Sequence, residues 1–235
     1  MALEIGCDSN ALKRAAADAA VALVGDGMVV GLGTGSTAAF AIGALGRRVT
    51  EGLRISCIPT SEHTAAQARA LNIPLVTLNE RTEIDIAIDG ADEVEKGALN
   101  LIKGMGGALL REKIVAISSG RFIVIVDESK LVERLGEKGA VPVEVAPFGW
   151  PATARRLKAL GCELSIRLNP DDSEFRTDGG NYILDCRFGP IRDPAALACE
   201  IDSVVGVVEH GLFLGMASQV IVGAAAGVRV LERFK

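Results

Sequence analysis

The stretch from Val29 to Ala38, VVGLGTGSTA, constrains the fold more than any other. An apolar run ends in a turn with three glycines and passes into small and hydroxylated residues. The order is strand, turn, helix, with MVVGL as the strand and a helix expected over 36–45. It recurs down the chain: RISCIP leads into SEHTAAQARAL, PLVTL reads as a further strand, and DIAIDG is followed by a glycine-rich loop, KGMGG. That loop opens the helix ALLREKIVAIS, which leads to the strand FIVIVD. Before all of these, Ser9 or Asn10 can cap a helix through ALKRAAADAAVAL. Apolar strands alternating with helices predict an α/β domain with a parallel sheet covered on both faces.

The rhythm changes near Gly136. VPVEVA reads as a strand, PATARRLKAL as a helix opened by Pro151, and DPAALACEIDSV as another helix. CELSIRL and FRTDGGNYILDCRF read as strands, the DGG marking a hairpin turn. The tail GLFLGMASQVIVGAAAGVRVLERF returns to buried, strand-like composition. A small α+β unit over 138–207 is therefore expected as an insert in an α/β domain built from 1–137 and 208–235.

Composition narrows the function classes. Of 235 residues 49% are apolar, enough for a sizeable core. The formal charge of −5 and 4% aromatic content argue against a nucleic-acid partner, which calls for a basic excess or stacking platforms. Five widely spaced cysteines (Cys7, Cys57, Cys162, Cys186, Cys199) form no CxxC pair, and the histidines, His63 and His210, are two, so no metal site is expected. The N-terminus carries Glu4 and Asp8 and lacks a signal layout, and no run approaches the ~20 apolar residues of a membrane span. A soluble, cytoplasmic protein is expected.

Two clusters carry chemistry. The first is the glycine turn. A helix start after glycines offers free N–H groups and a partial positive charge to an anion, and Thr34, Ser36 and Thr37 add hydroxyls around Gly35. The dinucleotide fingerprint would place Gly or Ala where Ser36 stands, and no GK pair followed by Ser or Thr marks a P-loop. The turn suits a small monophosphate; the alternative is a capped turn with no ligand. The second cluster runs IDIAIDGADEVEKGALNLIKGMGGALLREK. Asp89 and Asp92 fall where a parallel strand should end, Lys103 and the glycine loop follow, and Glu112 lies in the next helix. A carboxylate to take a proton, with an ammonium and backbone N–H groups to hold an enediolate oxygen, is a set for proton transfer beside a carbonyl. Each member also has a plain reading, as a turn residue or a solvated charge. Lys130, in VDESK, is either a helix-start lysine or a second positive group reaching the same crevice.

These stretches, with FIVIVDESK, VPVEV, RTDGGNYILD and GVVEHGLFLGMAS, resemble type A ribose-5-phosphate isomerase over nearly the whole chain. The resemblance implies a Rossmann-like large domain with a ferredoxin-like α+β insert, usually as a homodimer or homotetramer. It implies interconversion of ribose 5-phosphate and ribulose 5-phosphate in the pentose phosphate pathway, with no cofactor or metal. It makes Glu112 the proton acceptor, with Asp89 and Lys103 also catalytic. The place of Asp89 at a strand end, where the sugar should lie, makes it the expected proton relay for ring opening. The resemblance gives substrate binding to Thr34, Gly35, Ser36, Thr37, Asp89, Gly90, Ala91, Asp92, Lys103, Gly104, Met105, Gly106 and Lys130. Met105 stands where some relatives have Gly or Arg, and Lys13 is similar to a family lysine near the phosphate.

Overall fold

The computed structural model of the protein describes residues 9–232; the leader reading of the N-terminus and the last residues of the tail lie outside them. In chain order the first half comprises α1 (Ser9–Val21), β1 (Val29–Leu32), α2 (Ser36–Thr50), β2 (Ser56–Pro59), α3 (Glu62–Ala70), β3 (Ile86–Asp89), β4 (Glu93–Glu95), β5 (Leu101–Ile102), α4 (Leu109–Ile117) and β6 (Phe122–Asp127). A 3-10 turn, Glu128–Lys130, leads to β7 (Leu131–Val132), β8 (Val141–Val145), α5 (Trp150–Lys158), β9 (Glu163–Ile166), β10 (Tyr182–Arg187) and α6 (Pro194–Asp202). Then come β11 (Val207–His210), β12 (Leu212–Phe213), β13 (Gln219–Ala224) and β14 (Gly227–Glu232). No helix among the described residues is long and apolar enough to cross a membrane.

The main sheet has the order β14-β13-β6-β3-β1-β2 and is parallel except for the edge strand β14. Its strands are apolar on both sides because both faces are covered. Ile86, Ile88, Ile123 and Ile125 pack with Ala16, Ala17 and Ile42 of α1 and α2. Ala87, Phe122, Val124 and Val126 turn the other way, toward Val115 of α4 and Phe213. This is the parallel sheet covered on both faces that the alternating pattern predicts, and the Rossmann-like domain that the resemblance implies. β2 lies on one side of β1 and β3 on the other, so the winding reverses there and a crevice opens beyond the carboxyl ends of β1 and β3. Gly33 makes the closeness of those ends possible, since a Cβ there would lie 2.0 Å from Asp89 Oδ1.

The second sheet, β11-β8-β10-β9, is antiparallel throughout. With α5 and α6 it follows the β-α-β-β-α-β order of a ferredoxin-like unit. β11 pairs with β8, so the expected seam after residue 207 falls inside a strand of this sheet. A third sheet, β12-β5-β4-β7, joins the two units. Its strands are two or three residues long, too short to leave a periodic signal.

Two expected strands are absent. PLVTL forms only a bridge from Leu75 to Cys57, because Pro74 has no N–H to give and Thr77 turns its N–H to Glu80 Oε2 at 2.8 Å. FRT is a loop rather than a strand, while the expected turn stands at DGG, where Gly180 N–H donates to Thr177 O at 2.8 Å. Thr177 spends its N–H on Asn181 O at 3.0 Å and its hydroxyl on Glu144 at 2.8 Å, and β9 pairs with β10 only over Leu184–Arg187. α2 also runs to Thr50, five residues beyond the expected end.

Candidate active site

The glycine turn closes β1 and starts α2 without a side-chain cap. Gly35 takes φ 117°, a conformation open to glycine, and no side chain accepts from the first N–H groups of α2. Among the described residues the amides of Gly35, Ser36 and Thr37 have no acceptor, and Lys13 Nζ lies 3.2 Å from Ser36 Oγ. A helix end of this kind offers its N–H groups to an anion. The Thr34 hydroxyl does not join this set. It sits in a cluster with Thr60 Oγ1 (2.7 Å), Ser61 Oγ (2.9 Å) and Thr64 Oγ1 (3.1 Å), which braces the turn from behind. Thr60 and Thr64 in turn donate to the carbonyls of Leu32 and Gly33, each at 2.9 Å. Sequence reasoning missed this brace; the TSEHT segment after β2 was its only local mark.

Across the crevice, Asp89, Lys103 and Glu112 are buried together. Lys103 Nζ lies 2.9 Å from Asp89 Oδ2 and 3.4 Å from Glu112 Oε2, and donates to Gly90 O at 2.7 Å. The ring of Phe213 supports the ammonium from below, with its centroid 5.5 Å away. Asp89 is fully engaged, since Oδ1 also accepts from Thr34 N (3.2 Å) and Gly90 N (2.7 Å). Glu112 is not. Its Oε2 is the one buried side-chain oxygen or nitrogen among the described residues with no hydrogen-bond partner. Buried polar atoms are normally satisfied, so an oxygen held only by the 3.4 Å ion pair with Lys103 is a candidate reacting group.

A cavity of about 240 Å³ lies between the two clusters. Thr34, Gly35, Ser36, Thr37, Gly90, Ala91, Asp92, Lys103, Gly104, Met105, Gly106, Glu112 and Lys130 all line it. The structure thus gathers the residues singled out in the sequence, with two differences. Asp89 stays behind Lys103 and Gly90 and does not line the cavity, whereas Asp92, which lies past the end of β3, does. The glycine loop also offers fewer amides than its sequence suggests. Met105 N–H is taken by Asp92 Oδ2 at 2.9 Å and Gly107 N–H by Gly104 O at 3.0 Å, which leaves those of Gly104 and Gly106 open among the described residues.

A family profile described as Ribose 5-phosphate isomerase A (phosphoriboisomerase A) matches residues 56–227. Ribose-5-phosphate isomerase A of Gloeobacter violaceus is 62% identical over 224 residues, 95% of this chain and 97% of that one.

The chain belongs to the ribose 5-phosphate isomerase A family.

Solved structures of the family superpose closely. The ribose 5-phosphate isomerase A of Methanocaldococcus jannaschii gives a TM-score of 0.92 at 47% identity, covering 96% of this chain and all of that one. A D-ribose-5-phosphate isomerase in complex with phospho-erythronic acid gives 0.93 at 41% identity, covering 97% and 100%.

The electrostatics of this isomerase A site follow from one ammonium shared by two carboxylates. Burial, together with the charges of Asp89 and Asp92, outweighs Lys103 and pushes the Glu112 carboxyl up to about 8. Burial likewise raises Asp89, against the pull of Lys103. Burial alone would lower Lys103, but Asp89 and Glu112 more than reverse this, and the ammonium stays charged. A second titratable group lies nearby. Asp202, Glu209 and His210 are close enough to share a cation, but Lys113 Nζ already sits 2.6 Å from Glu209 Oε1 and donates to His210 O at 2.7 Å. That ammonium answers the negative charge there.

Proposed function

We propose that this chain interconverts D-ribose 5-phosphate and D-ribulose 5-phosphate through a cis-enediolate, with Glu112 as the base. The orphaned Oε2 of Glu112, facing a cavity whose far end is an uncapped helix, carries this reading. The free amides of α2, the Thr37 hydroxyl, Lys13 and Lys130 hold the phosphate, and so place C1 and C2 near Glu112. Anchoring by a non-reacting group reduces the entropy cost of orientation. Glu112 takes the proton from one carbon and returns it to the next on the same face. Lys103 and the Gly106 N–H stabilise the oxygen on which charge collects. Asp89 holds Lys103 and the turn in register, and Asp92, at the cavity wall, is the carboxylate placed to move protons as the furanose ring opens. No step uses a metal or cofactor. The reaction belongs to the pentose phosphate pathway in the cytoplasm, in a homodimer or homotetramer.

Turnover of ribose 5-phosphate by the purified, chelator-treated protein, competed by inorganic phosphate, tests the reading. Absence of turnover defeats it. Within that assay Thr37→Val removes one donor while keeping the side chain's size. It should raise KM roughly tenfold, the cost of one charge-assisted hydrogen bond, with kcat nearly unchanged. An unchanged KM would remove Thr37 from the phosphate site.

The base must be ionised to act, and in the free protein the Glu112 carboxyl keeps its proton up to about 8. kcat/KM should therefore climb as pH rises toward about 8, instead of levelling off in the ordinary glutamate range. A pH profile flat from 5 upward would exclude Glu112 as the titrating base.

A further inference from the structure

Arg167 stands just past β9 and reaches from the four-stranded sheet to the glycine loop. Its Nε donates to Asp185 Oδ2 at 3.0 Å, and its Nη2 to Asp185 Oδ1, so a carboxylate on β10 grips it at two points. Nη1 donates to Gly104 O at 2.8 Å and to Met105 O at 3.0 Å. Both carbonyls therefore face Arg167. In a trans peptide the C=O of one residue and the N–H of the next point in opposite directions, and no cis bond occurs among the described residues. The N–H groups of Met105 and Gly106 must turn away from Arg167. The Met105 N–H meets Asp92 there, a cavity-lining residue, which identifies that side as the cavity. The Gly106 N–H points the same way and has no acceptor among the described residues.

The Gly107 N–H to Gly104 O bond closes the turn around the 105–106 peptide but does not hold the Met105 carbonyl, which is left to Arg167. Gly106 and Gly107 follow Met105, and glycine backbone turns readily. Phe175 touches the loop one residue further on, where a Cβ on Gly107 would lie 2.4 Å from its ring. The planar, five-donor guanidinium is the side chain that can hold a carboxylate and two carbonyls at once; a lysine cannot.

We infer that Arg167, held by Asp185, is a positioning residue that aims the Gly106 N–H at the sugar oxygen on which negative charge develops. The inference rests on the site reading above. It makes the inserted unit part of the catalytic apparatus, although none of that unit's residues lines the cavity.

The test compares Arg167→Ala, Arg167→Lys, Asp185→Asn and the double variant Arg167→Ala/Asp185→Asn, by steady-state kinetics and by inhibition with phospho-erythronic acid and with inorganic phosphate. Loss of one oriented donor should cut kcat of Arg167→Ala about a hundredfold, with KM within about threefold. Inhibition by phospho-erythronic acid, whose carboxylate carries charge near the reacting carbons, should weaken about tenfold, while phosphate inhibition stays the same. Arg167→Lys should keep an intermediate kcat. The double variant should be no worse than Arg167→Ala, because Asp185 acts through Arg167. If Arg167→Ala fails to fold, Arg167→Lys bears the same test. A kcat within about threefold of the parent protein, or equal weakening of both inhibitors, overturns the inference. Glu112→Gln separates the two readings: normal kcat in that variant defeats the site reading, whereas its loss beside a fully active Arg167→Ala defeats this inference alone.

Discussion

Replacing Glu112 by glutamine is expected to lower kcat by roughly 10²–10⁴-fold while leaving KM almost unchanged. Glutamine keeps the shape and can still hydrogen-bond, but it cannot accept a proton from carbon. The phosphate anchor proposed above is the start of α2, which also lines the cavity, so substrate binding should not depend on this side chain. Steady-state kinetics in both directions check it. The same substitution should leave the fold intact or more stable at high pH. A buried carboxyl whose pKa is raised lends stability in its protonated form below its unfolded value of 4.5, and that stability is lost as pH rises through about 8. A near-normal kcat would hand the role of base to Asp92, the other carboxylate that lines the cavity.

Lys103→Met is expected to abolish measurable turnover and to lower stability by about 3–5 kcal/mol, the usual cost of leaving buried charge without its partner. Among the described residues the ammonium is the only cation paired with Asp89 and Glu112, which it meets at 2.9 and 3.4 Å. Without it the two carboxylates face each other in a dry site. Protonation of one of them relieves the repulsion, so the loss should be largest at pH 8 and shrink toward pH 5. Urea midpoints across that range read this directly. A loss that is the same at every pH would mean that Lys103 contributes packing against Phe213 rather than charge.

How much of this was legible in the sequence depends on how local each signal is. The turn at Gly33 and Gly35 could be read because backbone geometry there demands glycine, and nearby residues show it. Glu112 is a harder case. Flanked by Arg111 and Lys113 it looks like part of a solvated ladder, yet α4 buries Leu109, Glu112, Val115 and Ala116 on one face. A carboxylate on an apolar helical stripe was the available signal. The spent amide of Met105 could not be foreseen, since its acceptor, Asp92, lies thirteen residues away across a loop. Arg167 left no trace at all, because it acts on carbonyls some sixty residues earlier through a fold that brings two units together. PLVTL and FRT have strand composition but no ladder to join, since Pro74 lacks an N–H and Thr77 and Thr177 turn theirs to Glu80 and Asn181.

Met105 shows how one position can be rigid and permissive at once. Its N–H is bound by Asp92 and its carbonyl by Arg167, while its side chain is 54% exposed at the mouth of the cavity. The chemistry needs only the peptide, so the side chain is open to sequence drift, and to an engineer as well. A larger, charged or labelled group mounted there would border the entrance without displacing any reacting atom, which makes residue 105 the natural handle for reshaping which sugar phosphates enter.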